Sequence, residues 1–95
     1  MILHTFAFRW KPETSEALKQ RALDEIRNLH TRISGILETH AGFNFSPRSQ
    51  GYEFGGVMKF SDRSALDAYS VHPVHLELLS WLVPLIDAIE VDFET

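Results

Sequence analysis

The chain has 95 residues, a size that supports one domain (1–95), and its −4 formal charge with nine scattered Lys and Arg leaves no basic stripe for nucleic acid. It has no cysteine, which excludes a disulfide framework or a thiolate metal site and fits a reducing compartment. At 44% hydrophobic residues with seven Phe, its composition is that of a globular protein and not a disordered one.

No segment approaches the roughly 20 apolar residues of a membrane helix. The most apolar region, Leu76 to Val91, is interrupted by Glu77, Pro84, Asp87 and Glu90. Met1 to Trp10 carries neither the cationic start nor the cleavage site of a signal peptide. These features predict a cytoplasmic domain with no nucleic-acid or membrane partner.

Ile2, His4, Phe6, Phe8 and Trp10 share one parity, a period of two that predicts a strand with His4 among large aromatic rings. Pro12 and Thr14 or Ser15 offer a helix start. Leu18, Ala22, Ile26, Leu29, Ile33 and Ile36 then recur at spacings of three and four, predicting one amphipathic helix that ends near Gly35. Leu37 to Phe45 reads as a weaker strand, with Gly42 as a bulge or close approach. Ser46 to Gly51 has the composition of a loop, and Tyr52 to Phe60 alternates as a further strand. Ser61 or Asp62 can cap a short helix through Ser70, and a second helical piece runs from Pro73 to about Leu82. Ile89 to Glu94 alternates and closes the chain as a strand.

The order β-α-β-β-α-β predicts an α+β fold of the ferredoxin-like type, an antiparallel sheet with helices on one face. An uncovered second face and two unpaired edges are a liability in a monomer. A two-fold homodimer with sheet packed on sheet is therefore expected.

The segment Asp67-Ala68-Tyr69-Ser70-Val71-His72-Pro73-Val74-His75 packs a phenol and two imidazoles around a proline. Proline lacks an N–H and pushes its predecessor toward extended geometry, so the helix should break at His72. Tyr69 then lies near a helix end and His75 one turn into the next piece. Tyr and His are a suitable pair for moving a proton near neutral pH.

The opening strand with His4, the run Gly42-Phe43-Asn44-Phe45-Ser46-Pro47, Gly51-Tyr52 and the Tyr69/His72-Pro73/His75 run together resemble the stress-responsive A/B barrel domain family across essentially the whole chain. The resemblance implies a dimeric α/β barrel, in a family whose members mostly have no assigned function. A plant polyketide cyclase of the family uses a Tyr and a His in a matching Tyr-x-x-His-Pro-x-His run for an intramolecular aldol condensation. By that match the catalytic pair falls on Tyr69 and His75, with His4 as a supporting pocket residue. A further pocket histidine of the cyclase is replaced here by Phe54.

In this reading His75 is the general base toward a proton α to a carbonyl, and Tyr69 holds or protonates the enolate oxygen. Such chemistry needs no cofactor and an apolar pocket, for which Phe6, Phe54, Met58, Leu78, Trp81, Ile89 and Val91 are the candidate lining, with His72 beside them. The guest would be a small apolar carbonyl compound, turned over in a cyclase-, isomerase- or lyase-type step. Two other readings stand beside it. His72, His75 and His4 could form a three-histidine metal set, although Pro73 lies between the first two. Alternatively, the chain is a non-catalytic dimeric domain with a structural or stress-related role, and His75 serves only to fix the break at Pro73.

Overall fold

In the computed structural model, which describes residues Met1–Thr95, the chain runs β1 (Ile2–Trp10), α1 (Glu16–Arg27), α2 (Leu29–Arg32), β2 (Ile36–Phe43), β3 (Phe54–Phe60), α3 (Arg63–Ser70), α4 (Pro73–Leu82), a 3₁₀ turn (Val83–Leu85) and β4 (Ile86–Glu94). The four strands form one antiparallel sheet in the order β2-β3-β1-β4. This is the ferredoxin-like α+β arrangement that the order of elements predicts.

The aromatic parity of β1 faces the helices. Ile2, Phe8 and Trp10 join Phe54, Met58 and Phe60 of β3 in the core, against Ala22, Leu23 and Ile26 of α1 and Leu78 and Leu82 of α4. Phe8 and Phe54 lie directly opposite in register and stack at 4.4 Å between ring centroids. Offset stacking of this kind adds about 0.5–1.5 kcal/mol to the apolar area buried. Ser15 caps α1 by accepting from the Leu18 amide, and Asp62 caps α3 by accepting from the Ala65 amide.

The single long helix predicted up to Gly35 is instead two helices and a turn. The Asn28 side-chain amide donates to the Asp24 carbonyl at 2.8 Å and closes α1. Ile33 is extended and Gly35 adopts φ 96°, a backbone position that glycine reaches without strain, so Ile36 begins β2. Leu29, Ile33 and Ile36 are nevertheless all buried, which is why their spacing imitated a helix. The bulge falls at the start of β2, between Ile36 and Glu38, while Gly42 pairs regularly with Gly55. Tyr52 precedes β3, with the Arg9 guanidinium 5.4 Å from its ring centroid.

The register of β4 inverts one expectation. Opposite the helix-facing residues His4, Phe6 and Phe8 stand Asp92, Glu90 and Ala88. Ile89, Val91 and Phe93 therefore occupy the far side of the sheet, in line with Ala7, Thr5 and Leu3, and are about half exposed. No helix is long and apolar enough to cross a membrane.

Candidate functional site

The site is built on the break between α3 and α4. His72 is the extended cap residue of α4, and its Nδ1 accepts from the Val74 amide at 3.1 Å. Pro73 follows at the first helical position, where its missing N–H costs nothing. The turn is closed by the His72 amide on the Tyr69 carbonyl and the Leu76 amide on the His72 carbonyl. One turn into α4, His75 reaches back and donates Nδ1–H to the Ser70 carbonyl at 3.1 Å. A carbonyl only accepts, so this contact places the ring hydrogen on Nδ1 and leaves Nε2 as a free base.

The His75 ring lies 4.2 Å from the Tyr69 ring, and the Tyr69 ring lies 5.9 Å from that of His4. All three side chains border a cavity of about 60 Å³ between sheet and helices. Its walls are otherwise almost wholly apolar: Phe6 and Phe8 from β1, Ile26 and Leu29 from the first helical pair, Leu78, Leu79 and Leu82 from α4, and Ile86 and Ala88 from β4. Glu90 completes the lining on β4. One water needs roughly 10–15 Å³ of such space, so a guest of about five heavy atoms fits without rearrangement.

Burial sets the protonation states. Tyr69 is buried, and desolvation, with the Glu90 charge adding to it, raises its phenol far above the usual range and keeps it a proton donor. Burial likewise holds His75 below the ordinary histidine range. His4 and His72 add to that lowering, while the Ser70 carbonyl and Glu90 oppose it. The imidazole is thus a neutral base near pH 7 beside a neutral acid. His4, also buried, directs Nδ1 to the Asp92 carboxylate at 2.5 Å, which fixes its ring and leaves Nε2 as its second nitrogen.

Of the residues nominated from the sequence, His4, Tyr69, His75, Phe6 and Leu78 border the cavity. Phe54 and Met58 do not: both are fully buried in the core beside it, with the Phe54 ring stacked alongside Phe8 and Phe6. His72 turns its ring back to cap its own helix. Trp81 packs under the Arg21 guanidinium at 4.2 Å and is not part of the lining. Ile89 and Val91 are corrected most sharply, because β4 turns its acidic parity toward the helices. Asp92 and Glu90 were absent from the nominated set, and the strict alternation of Ile89 to Glu94 was the one signal for them. The three-histidine metal arrangement is not formed. No three His, Cys, Asp or Glu side chains are placed to share one metal ion, and the His72 ring turns back onto its own helix.

A ferredoxin-like sheet that encloses a Tyr/His-lined apolar cavity at a proline-broken helix defines a class of small α+β barrel domains. The chain belongs to the stress-responsive A/B barrel domain family, whose model matches residues 2–95. No curated protein sequence matches it significantly. Among solved structures it is similar to a dimeric ferredoxin-like protein of unknown function from Jannaschia sp. CCS1, with 29% identity over 100% of both chains and a TM-score of 0.78. It is also similar to a family protein from Mesorhizobium loti, with 27% identity over 99% of this chain and 95% of that one and a TM-score of 0.84. The hydroxynitrile lyase of Passiflora edulis shares the fold at a TM-score of 0.89, with 16% identity over 97% of this chain and 90% of the lyase.

Proposed function

We propose that the cavity binds a compact apolar carbonyl compound and that His75 and Tyr69 act on it as an acid–base pair without a cofactor. His75 Nε2 takes a proton from the carbon next to the carbonyl, and the Tyr69 hydroxyl donates to the oxygen on which negative charge develops. The resulting enolate adds to a second carbonyl, takes the proton back from His75 at a different carbon, or expels a leaving group, giving a cyclase-, isomerase- or lyase-type outcome respectively. His4, held by Asp92, borders the same space as a supporting group. The observation that carries this reading is the Tyr69–His75 contact at 4.2 Å on an apolar cavity, with the His75 hydrogen already committed to Ser70. The volume favours a small guest over a polyketide-sized one.

The active unit in this proposal is a cytoplasmic homodimer. The half-exposed Ile89, Val91 and Phe93 form an apolar band on the helix-free face of the sheet, and the Jannaschia structure is described as dimeric. The test is exchange of the α-protons of butanone in heavy water, followed by proton NMR. The wild type should accelerate exchange above buffer, His75→Ala should remove the acceleration, and Tyr69→Phe should reduce it by about 10²-fold or more. A wild type no faster than buffer would overturn the catalytic reading and leave the alternative of a non-catalytic dimer, in which the histidines merely stabilise the helix break.

A further inference from the structure

Glu90 is the one carboxylate of the cavity lining, and the proposed proton transfer does not use it. It stands on edge strand β4 opposite Phe6, on the helix-facing side of the sheet, and borders the same space as Tyr69 and His75. Its carboxylate has no ion-pair or hydrogen-bond partner, although its neighbours of the same parity do: Asp92 holds His4 and Glu94 holds Arg63 at 2.8 Å. Its charge is nevertheless felt inside the cavity, where it pushes both the Tyr69 phenol and the His75 imidazole upward.

The cavity lining has no opposing cation, since neither Lys nor Arg contributes to it. Arg9 sits on the far face of the sheet near Asp87, and Arg63 is engaged with Glu94. His4 supplies no net positive charge either: when protonated it is neutralised by Asp92, and when neutral the pair is anionic. A guest with its own carboxylate would lose water, meet a like charge and find no counter-ion. A guest with an ammonium group would find an unpaired carboxylate already in place.

We propose that Glu90 sets the charge specificity of this site, selecting compact carbonyl compounds that carry a cationic amino group and rejecting carbonyl acids. This inference rests on the carbonyl-binding reading above and adds the class of substrate to it. Attraction for the cation and repulsion of the anion, each of the modest size of a solvent-exposed charge pair, together give roughly tenfold discrimination. Screening should erode the difference at high salt.

The experiment is an NMR titration of the intact protein with butanone, protonated aminoacetone and pyruvate, three probes of closely similar size and different charge. Aminoacetone should bind about ten times more tightly than pyruvate, with butanone between them. In Glu90→Gln the three affinities should draw level, with the amide spectrum otherwise unchanged. In the wild type, 0.5 M sodium chloride should narrow the gap without any substitution. Binding of butanone with no ordering by charge, or an ordering that survives both Glu90→Gln and salt, overturns the role of Glu90 and leaves the carbonyl site standing. Failure of all three probes to bind overturns both.

Discussion

Gly56 forms the floor beneath Phe6, and a single methyl there tests whether the cavity has the walls described. A Cβ at Gly56 would lie 2.3 Å from Phe6 Cζ, 2.7 Å from Cε2 and 2.9 Å from Cε1. The ring tip must therefore retreat by about 1.1 Å, from 2.3 Å to the 3.4 Å at which ordinary contact begins. The space that Phe6 borders can take up that movement. Overpacking costs about 1–3 kcal/mol, and this case belongs at the low end because the displaced group has a void to enter. Replacing a strand glycine returns roughly 0.5–1 kcal/mol in backbone entropy. Gly56→Ala should thus cost about 1 kcal/mol or less, a fall in melting temperature of about 5 °C for a domain of this size. Its effect on butanone affinity should be far larger, because the ring occupies the guest's place. Paired with Phe6→Ala, a double-mutant cycle read by urea unfolding should show coupling of at least 0.5 kcal/mol, with affinity partly restored. Unchanged butanone binding in Gly56→Ala, or additive effects in the cycle, would refute the assignment of Phe6 as a cavity wall.

Four further outcomes follow from the same geometry. His75→Ala should shift stability by about 1 kcal/mol or less, since only a half-buried side chain is trimmed, whereas a loss of several kcal/mol in thermal unfolding would mark the imidazole as structural. Because the folded state holds His75 below its unfolded value near 6.5, the native protein binds fewer protons there; its stability should be full above about pH 6.5 and decline as the pH falls below it, and His75→Gln should flatten that limb of the urea-derived profile. His72→Ala removes the cap of α4 and should cost about 1 kcal/mol by chemical denaturation while leaving butanone affinity intact. Val91→Glu places a charge in the apolar band of the free sheet face and should give monomers in sedimentation experiments, with a dimer as stable as the wild type counting against that face as the interface.

The elements with strong local chemistry were legible in the residues themselves. The parity of Ile2 to Trp10 assigned a strand and its buried face, and Pro73 after His72 placed the start of α4 at the observed residue. The break at Asn28 was not legible, because Leu29, Ile33 and Ile36 continue the apolar spacing while serving a second helix, a turn and a strand. In β4 the alternation showed which side chains share a face but held no information about which face meets the helices. Choosing the apolar set as inward follows the usual logic of a monomer. That logic fails where the sheet's outer side is itself apolar, and with it went the placement of Ile89 and Val91. Phe54 and Met58 failed for a milder reason: hydrophobicity marks a core residue but does not separate a cavity wall from the core beside it.

The tie between His75 and the Ser70 carbonyl spans only five residues of chain, whereas Asp92, which orients His4, lies 88 residues away. The orientation of the base is consequently written into a short stretch around one proline, independent of whether the outermost strand stays zipped to its neighbour. If the C-terminal half of that strand frays, the Glu90 carboxylate departs from the cavity while Ile86 and Ala88 still wall it and the imidazole keeps its aim. Reactivity and selectivity would then melt at different temperatures, and a warmed sample would lose its discrimination before its proton transfer.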